Sequence, residues 1–547
     1  MRNSIWLGTW MAAALLAGCA AEDPTLDGVV TDPTLEDLDD AFVVPDGKAD
    51  DFLSVTASEF IVAGTDTVTL EPELATASST RKMARVRELI SLRHIANAWF
   101  LNQYLVDKES EEANAQYGGF GAMAKAGSYE EMDIRAVDAR TYSFKFTQLL
   151  AGRTNLMTLL PVRTAADGTK SFTLTVGLPS NVDMARLETN SEWYRSAPWT
   201  DWNPSTVPAA QKRDITLSIR PEVASQDAWL DYAKMLSDGV LDIDVHFGWD
   251  YHSNYHVTHA REMFSWLKSK GFRAPVANFD LLTRTSGPFT RTMSANGRTV
   301  RIDVRLFYGK TGSETDPDTD AGGRVLENDM RASLRTRDVI VYSGHSGPFY
   351  GFALANWRRT SEGDLDDADM QTVEMPADRY QVVVAEGCDT YQIGAAFGRN
   401  PNKPMLRNVD VLTTTSFSNA STAASVQTLI SHLIERDSRG RHRPRTVRTL
   451  LANLEGNSSG GFHTMYGMHG IDDDPRIHPY AAVDMIGQEC GVNADCGGLG
   501  NLCVRRTASQ PKFCTAACTA DSGCPTNYAC KPIASGGTIY GNACIPR

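Results

Sequence analysis

The sequence has no second long apolar run, no Cys-x-x-Cys pair and no excess of positive charge. After the N-terminal stretch, no segment of about 18 apolar residues follows, so we expect no membrane-spanning helix in the mature chain. Acidic residues outnumber basic residues by 67 to 53, which argues against a nucleic-acid partner. The 42% of hydrophobic residues, by contrast, can form globular cores, and 547 residues predict three or four folding units.

The first 51 residues combine an export signal with an acidic linker. The apolar stretch from Ile5 to Ala17 has the length of a secretory signal, and it leads into Leu-Ala-Gly-Cys, which resembles the bacterial lipobox. Residues 20–51 hold eleven acids against the single base Lys48. We expect 1–19 to be a lipoprotein signal peptide, Cys19 to carry a lipid, and 20–51 to be a disordered stalk. A plain signal peptide with an incidental cysteine is the alternative.

The lipobox places the mature chain outside the cytoplasm, attached to a bacterial membrane through its lipid. The outer membrane or the cell surface is the expected location. No other membrane attachment is indicated by the sequence.

Eight of the ten cysteines lie in the last 58 residues and form two similar quartets, displaced by 28 residues. An even number of cysteines in a short, glycine-rich, exported segment predicts four disulfides, because such a segment is too small to fold on a hydrophobic core alone. Their pairing does not follow from the spacing. The two quartets are Cys490, Cys496, Cys503 and Cys514, then Cys518, Cys524, Cys530 and Cys544.

Cys388 is left without a cysteine partner by this count, and it ends the apolar run that begins at Tyr380. A similar run, Asp338 to Ser343, leads into Gly-His345-Ser346-Gly. Short β-branched runs of this kind predict buried parallel strands, whose carboxyl ends lie at the same edge of a sheet. Neighbouring strands are about 5 Å apart, so the imidazole and the thiol can meet there as a base and a nucleophile. A buried, inert cysteine is the alternative interpretation.

The segments Tyr-Ser-Gly-His-Ser-Gly and Ala-Glu-Gly-Cys-Asp-Thr resemble the paired motifs of the caspase-like cysteine peptidase superfamily, which includes gingipains, clostripain, legumain, separase and CHAT domains. The resemblance covers about residues 240–485. It implies that His345 is the general acid/base and Cys388 the nucleophile. Backbone N–H groups of Ser346, Gly347 and Cys388 are then the expected oxyanion donors. Ser346 departs from the glycine that many members have at this position.

The expected fold class is α/β, with a mostly parallel sheet between two helical layers as in the caspase-like fold. Alternating strand and helix patterns after residue 240 support this architecture. We place an N-terminal α+β domain at 52–235, the caspase-like domain at 236–487 and a disulfide-rich module with two four-cysteine repeats at 488–547. The N-terminal domain carries no catalytic signature, and it either positions substrate or acts as an inhibitory pro-segment.

Two groups of residues are candidate metal ligands. Asp316, Asp318, Asp320 and Glu327 fit positions 1, 3, 5 and 12 of a calcium loop, although Ala321 stands where that loop needs glycine. A structural calcium ion is therefore a candidate, with an acidic helix cap as the alternative. Four histidines are close together in the sequence: His246, His252, His256 and His259. If a helix starts early, His252, His256 and His259 share one face and can bind zinc together with Asp250, although the His-Glu-x-x-His motif is missing. Solvated or stacked imidazoles at a helix start are the alternative.

Three functions follow from these observations. The first is a lipid-anchored cysteine endopeptidase that cleaves peptide or protein substrates through an acyl-enzyme and requires no cofactor. The second is a surface binding or adhesion protein whose caspase-like domain is inactive. The third is a metal-dependent hydrolase at the histidine cluster.

Overall fold

The protein is described by a computed structural model that covers most of the chain after residue 51. The described residues are 52–113, 122–123, 131–188, 196–199, 202–250, 254–346, 351–418, 422–437, 440–456, 464–475, 478–480, 486–496, 501–505, 510–524, 528–535 and 538–546. The signal peptide, Cys19 and the acidic stalk lie outside this range, so their assignments stay predictions. Within it, no helix is both long enough and apolar enough to cross a membrane.

The N-terminal unit is an antiparallel sheet covered by one long helix. Its elements are β1 (Leu53–Ser54), β2 (Ala57–Thr69), α1 (Ser79–Ala113), β3 (Ala122–Met123), β4 (Arg135–Ala136), β5 (Thr141–Arg153), α2 (Leu156–Leu159), β6 (Arg163–Thr164), β7 (Lys170–Gly177), α3 (Asn181–Glu188) and β8 (Lys212–Pro221). The sheet has the order β3-β5-β2-β8-β7-β6, with β4 paired to β5. Apolar side chains of α1, among them Val86 and Ile90, pack on this sheet in one core.

The central unit alternates strands and helices, as the sequence pattern predicts. Its elements are α4 (Tyr232–Met235), β9 (Val240–Phe247), α5 (Tyr255–Ser269), β10 (Phe289–Ala295), β11 (Arg298–Tyr308), α6 (Asp320–Thr336), β12 (Val339–Ser343), β13 (Phe352–Ala353), β14 (Asp364–Leu365), α7 (Asp367–Met370), β15 (Gln381–Glu386), α8 (Tyr391–Phe397), β16 (Val409–Thr414), α9 (Ala424–Leu433), α10 (Val447–Glu455) and β17 (Tyr466–His469).

The eight-stranded sheet of the central unit is mixed, with the order β1-β17-β16-β15-β12-β9-β11-β10. The five strands from β16 to β11 are parallel, whereas β1, β17 and β10 pair antiparallel at the two edges. Parallel strands are normally buried on both faces, which explains the β-branched runs in β12 and β15. The predicted mixed α/β class is confirmed at this level.

Alternate residues of the central strands enter two separate cores. Val339 and Val341 of β12 pack with helices α5, α9 and α10, whereas Ile340 and Tyr342 pack with α6 and α8 on the opposite face. Side chains of a strand alternate between the two faces of a sheet, so this division shows that helices cover both faces.

The parallel strands have a reversal in their order at β9. In chain order they are β9, β11, β12, β15 and β16, but β9 lies between β11 and β12 in the sheet. After β9 the chain first forms β11 on one side of it and then forms β12 on the other side. In such doubly wound sheets, the crevice beyond the carboxyl ends of the strands at this reversal is the usual ligand site.

The C-terminal module consists of two small hairpins, β18 (Asn501–Val504) with β19 (Phe513–Ala516) and β20 (Tyr528–Ser535) with β21 (Thr538–Pro546). Four disulfides hold it together, as predicted from the cysteine count. Within each quartet the first cysteine pairs with the third and the second with the fourth: Cys490–Cys503, Cys496–Cys514, Cys518–Cys530 and Cys524–Cys544.

The first described strand, β1, belongs to the central sheet and not to the sheet of the N-terminal unit. Strand β1 pairs antiparallel with β17, with Leu53 opposite Met468 and Ser54 opposite Gly467. Only from β2 onward does the chain build the N-terminal sheet. Leu53 and Ser54, which the sequence places in the first domain, therefore belong to the edge of the central sheet.

Candidate functional site

The candidate site lies beyond the carboxyl ends of β9, β12 and β15. The paired positions Phe247, Ser343 and Glu386 end these strands side by side. Asp250 follows the first strand by three residues, and His345 follows the second by two. The reversal in strand order falls between these two strands, so both residues project into the crevice where sheets of this type bind ligands.

Asp250 and His345 are hydrogen-bonded, with Oδ1 of the carboxylate 2.7 Å from Nε2 of the ring. The Asp250 side chain is buried, and 15% of the His345 side chain is exposed. The backbone N–H of Asp250 also donates to Nδ1 of His256 at 3.2 Å. A buried carboxylate that accepts a hydrogen bond from one ring nitrogen fixes the ring orientation and stabilises the imidazolium form.

The Cys388 turn lies beside the His345 loop. The backbone N–H of Gly344 donates to the carbonyl of Glu386 at 3.1 Å, which continues the β12–β15 pairing past the strand ends. A Cβ atom on Gly387 would lie only 2.7 Å from Cβ of Ser346. The two motif segments are thus in direct contact, and a side chain at position 387 would force them apart.

The thiol of Cys388 is protonated at neutral pH in this arrangement. Desolvation raises its pKa to about 12, and the charges of Asp389 and Glu386 act in the same direction. Hydrogen bonds from Ser418 oppose this shift only in part. Cys388 is partly buried and forms no disulfide. The loss of hydration thus outweighs the favourable hydrogen bonds to Ser418.

A small pocket opens beside the Asp250–His345 pair. Its wall combines two carboxyl groups, three imidazoles and small hydroxyl side chains. It is lined by Gly248, Asp250, Tyr255, His256, His259, Ser343, Gly344, His345, Glu386, Ser418 and Thr422. Glu386 accepts a hydrogen bond from Ser343 Oγ at 2.7 Å, and burial raises its pKa to about 7. A pocket with these groups favours a cationic or hydrogen-bond-donating ligand group.

The expected oxyanion donors are only partly described. Ser346 Oγ donates to the carbonyl of Gly351 at 2.7 Å, a bond that holds the loop after His345. Gly347 lies outside the described residues. The role of these backbone N–H groups, and of Cys388 N–H, stays a prediction.

The four clustered histidines are divided between two places. His246 Nε2 lies 2.9 Å from Ser333 Oγ, on the α6 side of the sheet. His256 and His259, in contrast, line the pocket, and His252 lies outside the described residues. Within the described part of the chain, the only groupings of three potential ligands at metal-binding distance are made of cysteines that form disulfides.

The four carboxylates of the proposed calcium loop are engaged by separate protein donors. Asp316 accepts from the N–H of Gly312 at 2.7 Å, and Glu327 pairs with Arg331 at 2.9 Å. Asp318 accepts from Asn356 and Arg359, and Asp320 accepts from Thr360 and Ser361. The carboxylate oxygens of these described residues do not form a group at metal-binding distance. Calcium binding therefore stays a prediction.

The capping alternative fits this segment more closely. Asp320 lies in the first turn of α6, and Thr319 Oγ1 accepts a hydrogen bond from the N–H of Gly322 at 3.1 Å. A hydroxyl at the N-cap and a carboxylate in the first turn both stabilise a helix start.

Asp250 and Glu386 are the residues of the site that the sequence patterns did not single out for it. The sequence pattern groups Asp250 with the neighbouring histidines and places Glu386 within a strand. The signal that identifies Asp250 is its position just beyond a buried parallel strand, the same criterion that identifies His345 and Cys388.

The chain matches no protein-family model, and no curated protein or solved structure is detectably similar to it. The caspase-like resemblance therefore rests on the two motifs.

Proposed function

We propose that the chain is an exported, lipid-anchored cysteine endopeptidase with Cys388 as nucleophile and His345 as general acid/base. The observation that carries this proposal is the contact of the Cys388 turn with the loop of His345, whose ring is hydrogen-bonded to the buried Asp250. The four disulfides of the C-terminal module support an oxidising, extracytoplasmic location.

In the proposed reaction, the Cys388 sulfur attacks the scissile carbonyl carbon while its proton passes to the His345 ring. The tetrahedral oxyanion collapses, the C–N bond breaks, and the imidazolium gives the proton to the leaving amine. Water then attacks the thioester with His345 as base, which releases the acid and restores the thiol. Asp250 keeps the ring oriented and stabilises its charged form throughout the cycle.

The raised pKa of Cys388 is compatible with this scheme if the proton leaves the sulfur as the new C–S bond forms. A preformed thiolate–imidazolium pair is then unnecessary, because proton transfer and attack are coupled. Coupled transfer also avoids a full negative charge on the buried sulfur, which desolvation would make costly. The same raised pKa favours the second candidate function, an inactive surface binding protein.

The test is hydrolysis of a pooled peptide library by the wild type, by Cys388→Ala and by His345→Ala. We expect cleavage by the wild type and loss of about 10³-fold or more in both variants, because nucleophile and base act as one unit. A matched control is Ser269→Ala, which removes an exposed hydroxyl that donates to the carbonyl of Trp266 at 2.7 Å and touches neither reacting group. Equal cleavage by the wild type and Cys388→Ala would exclude the peptidase.

Labelling with a thiol-directed electrophile separates the two candidates further. Peptidase activity together with labelling at Cys388 supports the enzyme. Absence of both labelling and hydrolysis supports the binding protein.

A further inference from the structure

The backbone of the Cys388 turn is in a strained conformation. Asp389 has a φ of 49°, in the left-handed region that residues with a side chain seldom adopt. Two contacts within the central unit hold it: its N–H donates to the carbonyl of Ser416 at 3.0 Å, and Thr390 Oγ1 donates to the carbonyl of Ala385 at 2.6 Å. A strained turn keeps its shape only while its surroundings fix it.

Tyr391, the first residue of α8, connects this turn to the other end of the chain. Its hydroxyl donates to the carboxylate of Glu59 on β2, and both residues are buried, with 1% and 6% exposed. The ring of Phe52 packs edge-on against the Tyr391 ring, with 5.4 Å between centroids. Phe52 is itself 2% exposed and lies directly over Gly467, where a Cβ atom would collide with its ring.

We propose that Glu59 and Phe52 are positioning residues for Cys388 and act through Tyr391. This inference rests on the proposed function and adds a role for the N-terminal unit. The buried contacts fix the first turn of α8, and α8 fixes the turn that carries the sulfur three residues earlier. The N-terminal unit is then a permanent part of the active enzyme and not a pro-segment that is removed.

The effect on catalysis follows from the geometric demands of covalent attack. A shift of about 1 Å in the position of a reacting atom can cost about a hundredfold in rate. Binding of substrate to the pocket beside His345 does not use Tyr391, so the loss is expected in kcat and not in KM.

The decisive variants are Tyr391→Phe, which removes one hydroxyl, and Glu59→Ala. Glu59→Gln is the conservative partner, because its amide oxygen can still accept the hydrogen bond. Thr56→Val is the matched control: Thr56 Oγ1 donates to Glu455 at 2.8 Å across the same interface but does not touch the Cys388 turn. All measurements use the full chain, well below the midpoint of thermal unfolding, so that every variant is folded.

We expect Tyr391→Phe and Glu59→Ala to lose about tenfold in kcat with KM nearly unchanged, and Glu59→Gln to retain most of the activity. Alkylation of Cys388 by iodoacetamide should become about fivefold faster in Tyr391→Phe, because a loosened turn admits water and reagent. Thr56→Val should behave as the wild type in both assays.

Unchanged kcat in Tyr391→Phe, a gain of activity, or an equal loss in Thr56→Val would overturn the positioning role. The two proposals fail in different ways. Absence of Cys388-dependent hydrolysis in the wild type removes the proposed peptidase, and the alkylation rates alone then decide the inference. Hydrolysis that is insensitive to Tyr391 and Glu59 removes the inference and leaves the peptidase.

Discussion

Asp250 shows how a residue gains its role from the end of a strand and not from its sequence neighbours. It lies among four histidines in the sequence, yet its 2.7 Å hydrogen bond is to His345, 95 residues away. The carboxyl ends of three strands bring Asp250, His345 and Cys388 to one edge of the sheet. Parallel strands gather distant residues in this way.

Replacing Asp250 by Asn should reduce kcat by about a hundredfold or more, since the amide can hold the ring but cannot stabilise its positive charge. The pH dependence of kcat/KM should also change, because the substitution removes a negative charge that lies 2.7 Å from the His345 ring. Peptide hydrolysis measured across pH checks both effects. Asp280→Asn, at an exposed carboxylate that pairs with Arg261, is the control. Full activity in Asp250→Asn would show that the hydrogen bond has no catalytic role.

The sequence was sufficient to place His345 and Cys388 beyond the ends of β12 and β15, because a β-branched run followed by a polar residue is a local pattern. Their catalytic roles stay predictions. The electrostatics of the site could not be predicted in the same way. The pKa of Cys388 depends on desolvation and on Ser418, which comes from the segment after β16. Burial raises the pKa of Asp389 to about 8, and that burial also depends on the complete tertiary structure.

At the scale of elements, the two disulfide repeats differ in what they hold. Cysteines of the first quartet, including Cys496 and Cys514, pack within the main core of the central unit. Those of the second quartet, including Cys524 and Cys544, are not part of that core. The first repeat is thus joined to the α/β unit, whereas the second depends mainly on its own bonds and on contacts with the first.

Removing the Cys496–Cys514 bond by double Ser substitution should lower the midpoint of the main unfolding transition, with a cost of about 2–4 kcal/mol. The matched double substitution of Cys524 and Cys544 should leave that transition nearly unchanged and unfold only the last repeat. Thermal unfolding and limited proteolysis distinguish these results. Equal shifts of the main transition in both variants would contradict the difference in packing.

The sequence predicted both repeats, but the pairing within them depends on strand register. Cys503 faces Cys514 across β18–β19, and Cys530 faces Cys544 across β20–β21, yet neither facing pair is bonded. Each of these cysteines bonds to one outside its own hairpin. Spacing alone does not reveal this choice, since it depends on the side to which each sulfur points.

At the scale of the whole molecule, two sets of buried groups set the pH range of stability. Burial lowers the pKa of the histidines, to about 3 for His432 and about 4 for His442. Their folded pKa lies below the unfolded value of 6.5, so their contribution is present above pH 6.5 and is lost as the pH falls toward those values. Burial raises the pKa of Asp410 and Glu386 to about 7. Their contribution is present below the unfolded values of 3.8 and 4.5 and is lost as the pH rises toward 7.

Between about pH 4 and pH 6.5 the two pH dependences have opposite signs and offset each other, which predicts a plateau of stability. Below this range only the loss from the histidines continues, and above it only the loss from the carboxyl groups continues. Asp410→Asn should reduce the loss on the alkaline side, and His432→Leu should reduce the loss on the acid side, because each removes one group of the corresponding set. Thermal unfolding followed by circular dichroism across pH measures all three curves. A midpoint that rises steadily above pH 6.5, or an Asp410→Asn curve parallel to that of the wild type, would contradict this account.

In each C-terminal repeat the first cysteine pairs with the third and the second with the fourth, so every disulfide lies within one repeat. Duplication or deletion of one such unit in the gene would therefore leave no orphan cysteine behind. The C-terminal module can gain or lose whole repeats in evolution without creating a cysteine that would pair with Cys388.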